Sequence, residues 1–487
     1  MEQLSGQDAM FLHAELDGLP QHIGGVNIYD QDTAPGSAVR FKQILAMLES
    51  RVHLSPIYRR KLAFVPGGLS RPYWVEDPDF DLEFHVRHIA LPKPGDWRQL
   101  CILAARLHSQ PLSRDRPLWE MYIIEGLNNV EGLPKNCFAV LVKVHHCAMD
   151  GATGAQFNNI VHDLTPETAE TEPAGPWVVE RISTARMLGK AYVDAWKKPG
   201  DVYDMVKKAG PTFMRLRRGK KQQDFHTLED KQKTRFQGKI SRHRVVDGRR
   251  FDFGEVRAMK SSLPGVTIND VMLTIVAGGL RKYLQSKDEL PEQTLVTGCP
   301  IDVRSPEDRA AGGNMVGMMN VALCTEIEDP YERLQAVHEE SNSAKAYAEA
   351  MGARMMMDVT NVMPGNVLSI ALRAASATGL AEASVIQNTI VTNVPGAPHQ
   401  LYFCGAELVN SFTLGPLVPN VGLMHIVYSA VQNKQGTITL SFTACRQMLP
   451  DPAFYAECLQ ESFDELKKAT LGKQRVSQKA TKRAKVA

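Results

Sequence analysis

Apolar residues recur at helical spacing in two early stretches, Phe41-KQILAMLESRV and Trp97-RQLCILAARLH, and each predicts an amphipathic helix. Beyond them, Met121-YIIEGL and Cys137-FAVLVKV predict strands. The second is almost continuously apolar, as a strand buried on both faces should be. Phe157, Ile160, Val161 and Leu164 then fall at i, i+3, i+4 and i+7, one stripe of a further helix. The second half starts a fresh alternation. Thr267-INDVMLTIVAGGLRKYL predicts a helix, with Thr267 or Asn269 as its N-cap. Thr294-LVTGCPIDVR, Val316-GMMNVALCT, Thr389-IVTNVPG, His425-IVYSAVQ and Thr437-ITLSFTA predict strands bounded by Gly, Pro and Asn. No short-period repeat is present, so the pattern describes an α/β protein of two similar-sized domains.

Punctuation along the chain divides it further. PETAETEPAGP, residues 166–176, breaks the first alternation, and a basic, partly helical stretch follows to about residue 250. Pro211 and Gly210 interrupt its helix. There Phe213, Met214 and Leu216 stand among Lys207, Lys208, Arg215, Arg217 and Arg218, a pattern shared by interfacial helices and by helices docked on their own protein. The expected organisation is a domain at 1–165, a linker at 166–250, a domain at 251–466 and a basic disordered tail at 467–487.

Length, 487 residues, exceeds one ordinary core, and 44% hydrophobic against 23% charged residues marks a globular chain. Net charge is +2, but the tail holds eight basic and no acidic residues, which leaves −6 on the rest. A solvated tail is the first expectation and a membrane or lipid-droplet surface the second. Nothing resembles a nucleic-acid module, and no apolar run approaches the ~20 residues that span a bilayer. Eight scattered cysteines without CxxC pairs, behind a start lacking a signal peptide, point to reduced thiols in the cytoplasm.

The strand from Cys137 runs into KVHHCAMDGATG, Lys143 to Gly154. Alternation turns His145 and His146 to opposite sides, so one of them faces a given substrate. His146 shares parity with Phe138, Val140, Val142 and Val144, and His145 with Lys143. Gly151 permits a turn that a Cβ would obstruct. Asp150 stands where it can cap the next helix or grip a cation. His145, His146, Asp150, His162 and Asp163 supply enough ligands for a metal by count, yet adjacent histidines diverge and the spacing fits no zinc motif, so no metal is expected. Spacing alone leaves two readings: a buried histidine with Asp150 closing a helix, or a general base at a strand end.

HHCAMDG fits HHxxxDG, and other segments join it in order: SGQDAMFLHAE, PQHIGGVNIYD, PLSRDRPLWEMYIIEGL, TINDVMLTIVAGGLRKYL, GNMVGMMNVAL and TNVPGAP. The set covers most of residues 1–466 and resembles the bacterial wax ester synthase/acyl-CoA:diacylglycerol acyltransferase family, within the HHxxxDG superfamily of acyltransferases and condensation domains. That resemblance implies two pseudo-related, coenzyme A-dependent-acyltransferase-like domains, each a mostly β-sheet core with flanking helices, and an active-site channel at their interface. It implies transfer of a long-chain fatty acyl group from acyl-CoA, a co-substrate rather than a bound cofactor, to a fatty alcohol or diacylglycerol.

By the same resemblance His146 is the general base and His145 its support. Asp150 orients the loop, with Arg304 as a candidate partner, and Gly151 makes the turn. Asn269 is the candidate for positioning or oxyanion stabilisation, with Asp270 supporting it. Residues binding coenzyme A are not identifiable. DFGWG, found in many related acyltransferases, is absent, and GPLVPNVGLMH (415–425) takes its place, where Pro416, Pro419 and Gly422 suit a structural role. With no GxSxG elbow, direct transfer is favoured over an acyl-enzyme. A condensation enzyme using carrier-bound donors and a non-catalytic lipid-surface protein are the alternatives.

Overall fold

The computed structural model describes residues 2–66, 70–149, 157–169, 171, 179, 183, 185–193, 232–302, 316–351 and 385–484. Before the histidine motif lie β1 (Glu2–Gln3), β2 (His22–Asp30), β3 (Arg60–Ala63), β4 (Tyr73–Glu76), β5 (Val86–Ala90), β6 (Trp119–Leu127) and β7 (Cys137–His145). Helices α1 (Gly6–Ala14), α2 (Phe41–Arg51), α3 (Leu82–His85) and α4 (Trp97–Ser109) are set between them. The second half carries β8 (Arg244–Asp252), β9 (Val296–Asp302), β10 (Val316–Ala322), β11 (Thr389–Pro395), β12 (Tyr402–Phe403), β13 (Ala406–Leu414), β14 (Leu423–Gln432) and β15 (Gln435–Cys445). Its helices are α5 (Phe253–Lys260), α6 (Ile268–Gln285), α7 (Pro330–Met351) and α8 (Pro452–Ala484).

Two six-stranded sheets organise these elements, in the orders β12-β13-β2-β7-β6-β5 and β10-β9-β11-β14-β15-β8, beside a small sheet β1-β4-β3. The strand β7 is buried on both faces, as its sequence requires. Phe138, Val140 and Val144 enter one core and Cys137, Ala139 and Leu141 another. Under the second sheet, α6 contributes Val271, Met272, Ile275 and Leu280 to the largest core. Its cap is Thr267, whose hydroxyl accepts from the Asp270 N–H while Asp270 accepts from the Thr267 N–H. No helix among the described residues is long and apolar enough to cross a membrane.

Three features depart from expectation. No strand was expected at Ala406–Leu414, yet β13 pairs antiparallel with β2 and so completes the first sheet from the second half. Glu407, Asn410 and Ser411 disguise it by breaking the apolar pattern. All three are buried: the Ser411 hydroxyl donates to Asn27 Oδ1 at 2.6 Å, Asn410 Oδ1 accepts from the Ser411 N–H, and Glu407 Oε2 pairs with Lys434 at 3.3 Å. The tail from Lys467 is not structureless but continues α8, since its Lys, Gln, Arg and Ala residues favour a helix once its first turns are docked. Finally, the helix after the motif is described from Phe157 to Val161, and Leu164 lies beyond it, 66% exposed. Asp150, Gly151, Arg304, Phe213, Met214 and Leu216 lie outside the described residues.

Burial holds several imidazoles neutral, with His108 and His425 pushed down to about 3 and His162 to about 4. Unfolded histidine titrates near 6.5, so this contribution to stability is complete above that pH. It is lost as pH falls towards the folded values, because the unfolded chain then binds more protons. Chemical unfolding at pH 7 and pH 5 should show lower stability in acid, by about 1 kcal/mol per histidine for each pH unit below 6.5. Equal stability at the two values would contradict the burial of these rings.

Candidate active site

The end of β7 is clamped on both sides. The His145 N–H donates to the Leu118 carbonyl at 2.9 Å and the His146 N–H to the Gln21 carbonyl at 2.8 Å. Gln21 in turn donates through Nε2 to the Leu417 carbonyl at 3.2 Å. The loop that replaces DFGWG therefore braces the motif from the second half of the chain. Past His145 the backbone leaves the strand for a single 3-10 turn, His146–Ala148.

That change of conformation sends the two rings apart. His145 is buried, and the Cys147 N–H donates to its Nδ1 at 3.1 Å. Nε2 must then carry the hydrogen, which it donates to Glu15 Oε2 at 2.9 Å. The same carboxylate oxygen accepts from Arg114 at 2.9 Å. Burial alone would raise the Glu15 pKa, but the hydrogen bond from His145 and the charge and hydrogen bond of Arg114 hold it below the usual carboxylate range. Both ring nitrogens of His145 are thus engaged, which removes it as a metal ligand or a free base. His146 is half-buried and stacks on Phe11, ring centroids 3.8 Å apart at 8°.

Phe11 and Glu15 are one helical turn apart, at the end of α1. One helix therefore reaches both histidines. Its start is fixed by Ser5, whose hydroxyl accepts from the Asp8 N–H at 3.0 Å. Spacing around the motif could not reveal Glu15, Phe11 or Arg114. Their signal was membership in SGQDAMFLHAE and PLSRDRPLWEMYIIEGL, two of the resembling segments.

A polar row continues behind His145. Lys143, fully buried, donates to the Leu107 and Gln110 carbonyls at the end of α4, at 3.2 and 3.1 Å, and pairs with Glu120 at 2.9 Å. A helix C-terminus favours a cation. Burial nevertheless lowers the Lys143 pKa in spite of Glu120. His22 packs edge-on against His145 and His108, and burial drives its pKa well below the ordinary value, helped by the charge of Lys143. Gly24 leaves the space: an added Cβ would stand 2.9 Å from the Val142 carbonyl and 3.2 Å from the His108 ring. Cys147 is no nucleophile, because burial pushes its thiol well above the usual range.

Beyond the motif, the buried Arg51–Asp163 pair at 2.7 Å and the Arg51 bond to the Ile160 carbonyl at 3.1 Å anchor the following helix to α2. Asn269 is half-buried in the first turn of α6 and makes no side-chain hydrogen bond among the described residues. Asp270 is fully buried and accepts from His338 Nδ1 at 2.9 Å. These bonds fix the start of α6 against α7. No described contact joins Asn269 or Asp270 to the histidine pair.

Two sheets, the first completed by a strand from the second half of the chain, with a histidine pair at a strand end and one ring locked by a carboxylate, fit an acyltransferase of the HHxxxDG type. The wax ester synthase/diacylglycerol acyltransferase catalytic domain matches residues 4–272, and the C-terminal domain of that family matches 312–467. The chain belongs to the wax ester synthase/diacylglycerol acyltransferase family and is an acyltransferase. A Mycobacterium tuberculosis H37Rv protein named as a diacylglycerol O-acyltransferase, Rv1760, is 33% identical over 472 residues, 96% of this chain and 90% of its own. The wax ester synthase/diacylglycerol acyltransferase of Marinobacter aquaeolei VT8 shares the fold with a TM-score of 0.67 at 23% identity, over 96% of this chain and all of that one. The first condensation domain of the calcium-dependent antibiotic synthetase shares it at 0.54 and 16%, over 96% and 95%.

Glu15→Gln should destabilise the protein by about 2–3 kcal/mol, since it strips the shared charge from a buried imidazole and a guanidinium. Arg114→Gln should cost about 1 kcal/mol or less, because that side chain is 39% exposed and solvent screens it. Urea unfolding of the two variants measures the difference. Equal small losses would show that the carboxylate is not the anchor.

Proposed function

We propose that this acyltransferase moves a long-chain fatty acyl group from acyl-CoA to a fatty alcohol, giving a wax ester, or to diacylglycerol, giving triacylglycerol, with His146 as general base. The observation supporting the base most directly is the tautomer of its neighbour. His145 has committed its lone pair to Cys147 and its hydrogen to Glu15, so a proton reaching it would break a bond. His146 turns the other way, to stack on Phe11.

A neutral imidazole takes the hydroxyl proton as the alcohol oxygen attacks the thioester carbon. The tetrahedral intermediate collapses with loss of the C–S bond, and the imidazolium returns its proton to the departing thiolate. No proton is gained or lost overall. Asn269 donates to the oxyanion, a role that suits an amide not used as the cap of α6. Asp270 supports it by fixing the helix start, while Asp150 and Gly151 shape the loop after His146. Both acceptors are lipid-soluble, which suits a working site at a lipid surface, the inner membrane face or a lipid inclusion of the cytoplasm.

Palmitoyl-CoA offered with hexadecanol or a diacylglycerol tests this reading, with free thiol and ester both measured. Wild type should form ester, and His146→Ala should lose about 10²- to 10⁴-fold in turnover. Undiminished turnover by a folded His146→Ala variant would remove the base assignment. A wild type inert with both acceptors would refute the proposed substrates.

A further inference from the structure

Among the side-chain oxygens of the second half that are buried without a hydrogen-bond partner among the described residues are two carboxamide oxygens close to one another, Gln387 Oε1 and Asn320 Oδ1. Folded proteins leave few such groups, and each calls for a donor. These two are neighbours. Register sets Asn320 directly opposite Gly298 on β9. A Cβ added at Gly298 would stand 2.2 Å from Gln387 Oε1 and 3.0 Å from Met318 Sδ. The Gln387 carboxamide therefore lies across Gly298, in room that only a glycine leaves. Gln387 is 8% exposed, whereas Met318 beside it is 50% exposed, so the edge of the cluster opens outward.

Strand registers tell which way the cluster faces. Residues directly opposite one another share a face, and alternate residues return to it. Asn320 pairs with Gly298, Gly298 with Ile390, and Ile390 with Met424. Two residues on, Ile426 pairs with Ser441. The Ser441 hydroxyl donates to the Thr413 carbonyl of β13 at 2.6 Å, in the first sheet. Tyr428, in the same row, has the side chain of Asn158 beside its phenol, in the helix that follows the histidine motif. The other face sends Cys299, Met319, Val391 and Val427 into the large core. Gln387 and Asn320 thus belong to the surface that meets the first sheet and the motif helix.

The chemistry of the unpaired atoms selects the occupant. They are acceptors, so the ligand must donate. A fatty alcohol or a diacylglycerol has one O–H, which the reaction consumes, and ester oxygens only accept. The pantetheine arm of acyl-CoA carries two amide N–H groups. We infer that Gln387 and Asn320 form a subsite for the pantetheine amides of acyl-CoA, with Gly298 giving the Gln387 carboxamide its place over the strand. This rests on acyl-CoA being the donor, as proposed above.

Gln387→Leu, Asn320→Leu and Gly298→Ala test it, each assayed with palmitoyl-CoA and with S-palmitoyl-2-mercaptoethanol, a thioester that has no amide. Each variant should raise KM for palmitoyl-CoA roughly five- to tenfold. The KM for hexadecanol and the rate with the amide-free thioester should stay at wild-type values. An unchanged KM for palmitoyl-CoA in both leucine variants, or an equal loss with the amide-free donor, would overturn the subsite. Wild type that makes no ester from palmitoyl-CoA would overturn the donor reading itself, and the subsite with it.

Discussion

One carboxylate oxygen, Glu15 Oε2, accepts from an imidazole and a guanidinium at the same 2.9 Å. It ties together the end of α1, the segment before β6 and the end of β7. Held ionised by these partners, it fixes the tautomer of His145 and, through the same helix, sets Phe11 against His146. The two histidines thereby become chemically unlike, although they are adjacent in the chain. One is bonded through both ring nitrogens and the other stacks on Phe11.

Lys143 shows the same economy one pair of residues earlier. A buried ammonium is costly unless its donors are met. The carbonyls ending α4 and the carboxylate of Glu120 meet them. The ammonium of Lys143 is therefore buried but satisfied, and burial keeps the His22 and His108 rings behind the motif neutral. The proposed base would stand in front of this wall, in a fixed electrostatic setting of the kind in which preorganised dipoles act on a transition state.

The placing of β13 in the first sheet ties the two halves of the chain together. The strand pairs with β2 in the first sheet, while Ser441 of the second sheet bonds its backbone. Leu417, just beyond it, accepts from Gln21, whose carbonyl holds the His146 N–H. Acyl transfer needs a base and two substrates in register, and a short bonded path between the sheets supplies rigidity where a flexible hinge would not.

The sequence by itself determined the strongly periodic elements, among them α4, β7 and α6, because burial of one stripe or of both strand faces writes a local period into the chain. It determined the histidine pair and the family, since the motif and its companion segments are local strings, whereas the divergence of the two rings comes from the 3-10 turn at His146 and not from the strand alternation expected. It could not show that Glu15, Arg114 and His145 meet, for they are separated by tens of residues and only chain folding closes those distances. Nor could it show β13, whose Glu407, Asn410 and Ser411 read as polar until their partners are known. The tail was misread for a related reason: its charges predict solvation, while the docking of the preceding turns of α8 on the second domain nucleates a helix that propensity alone would leave marginal. Local patterns record which face of an element is buried; which distant groups satisfy its polar atoms is decided only when the elements pack.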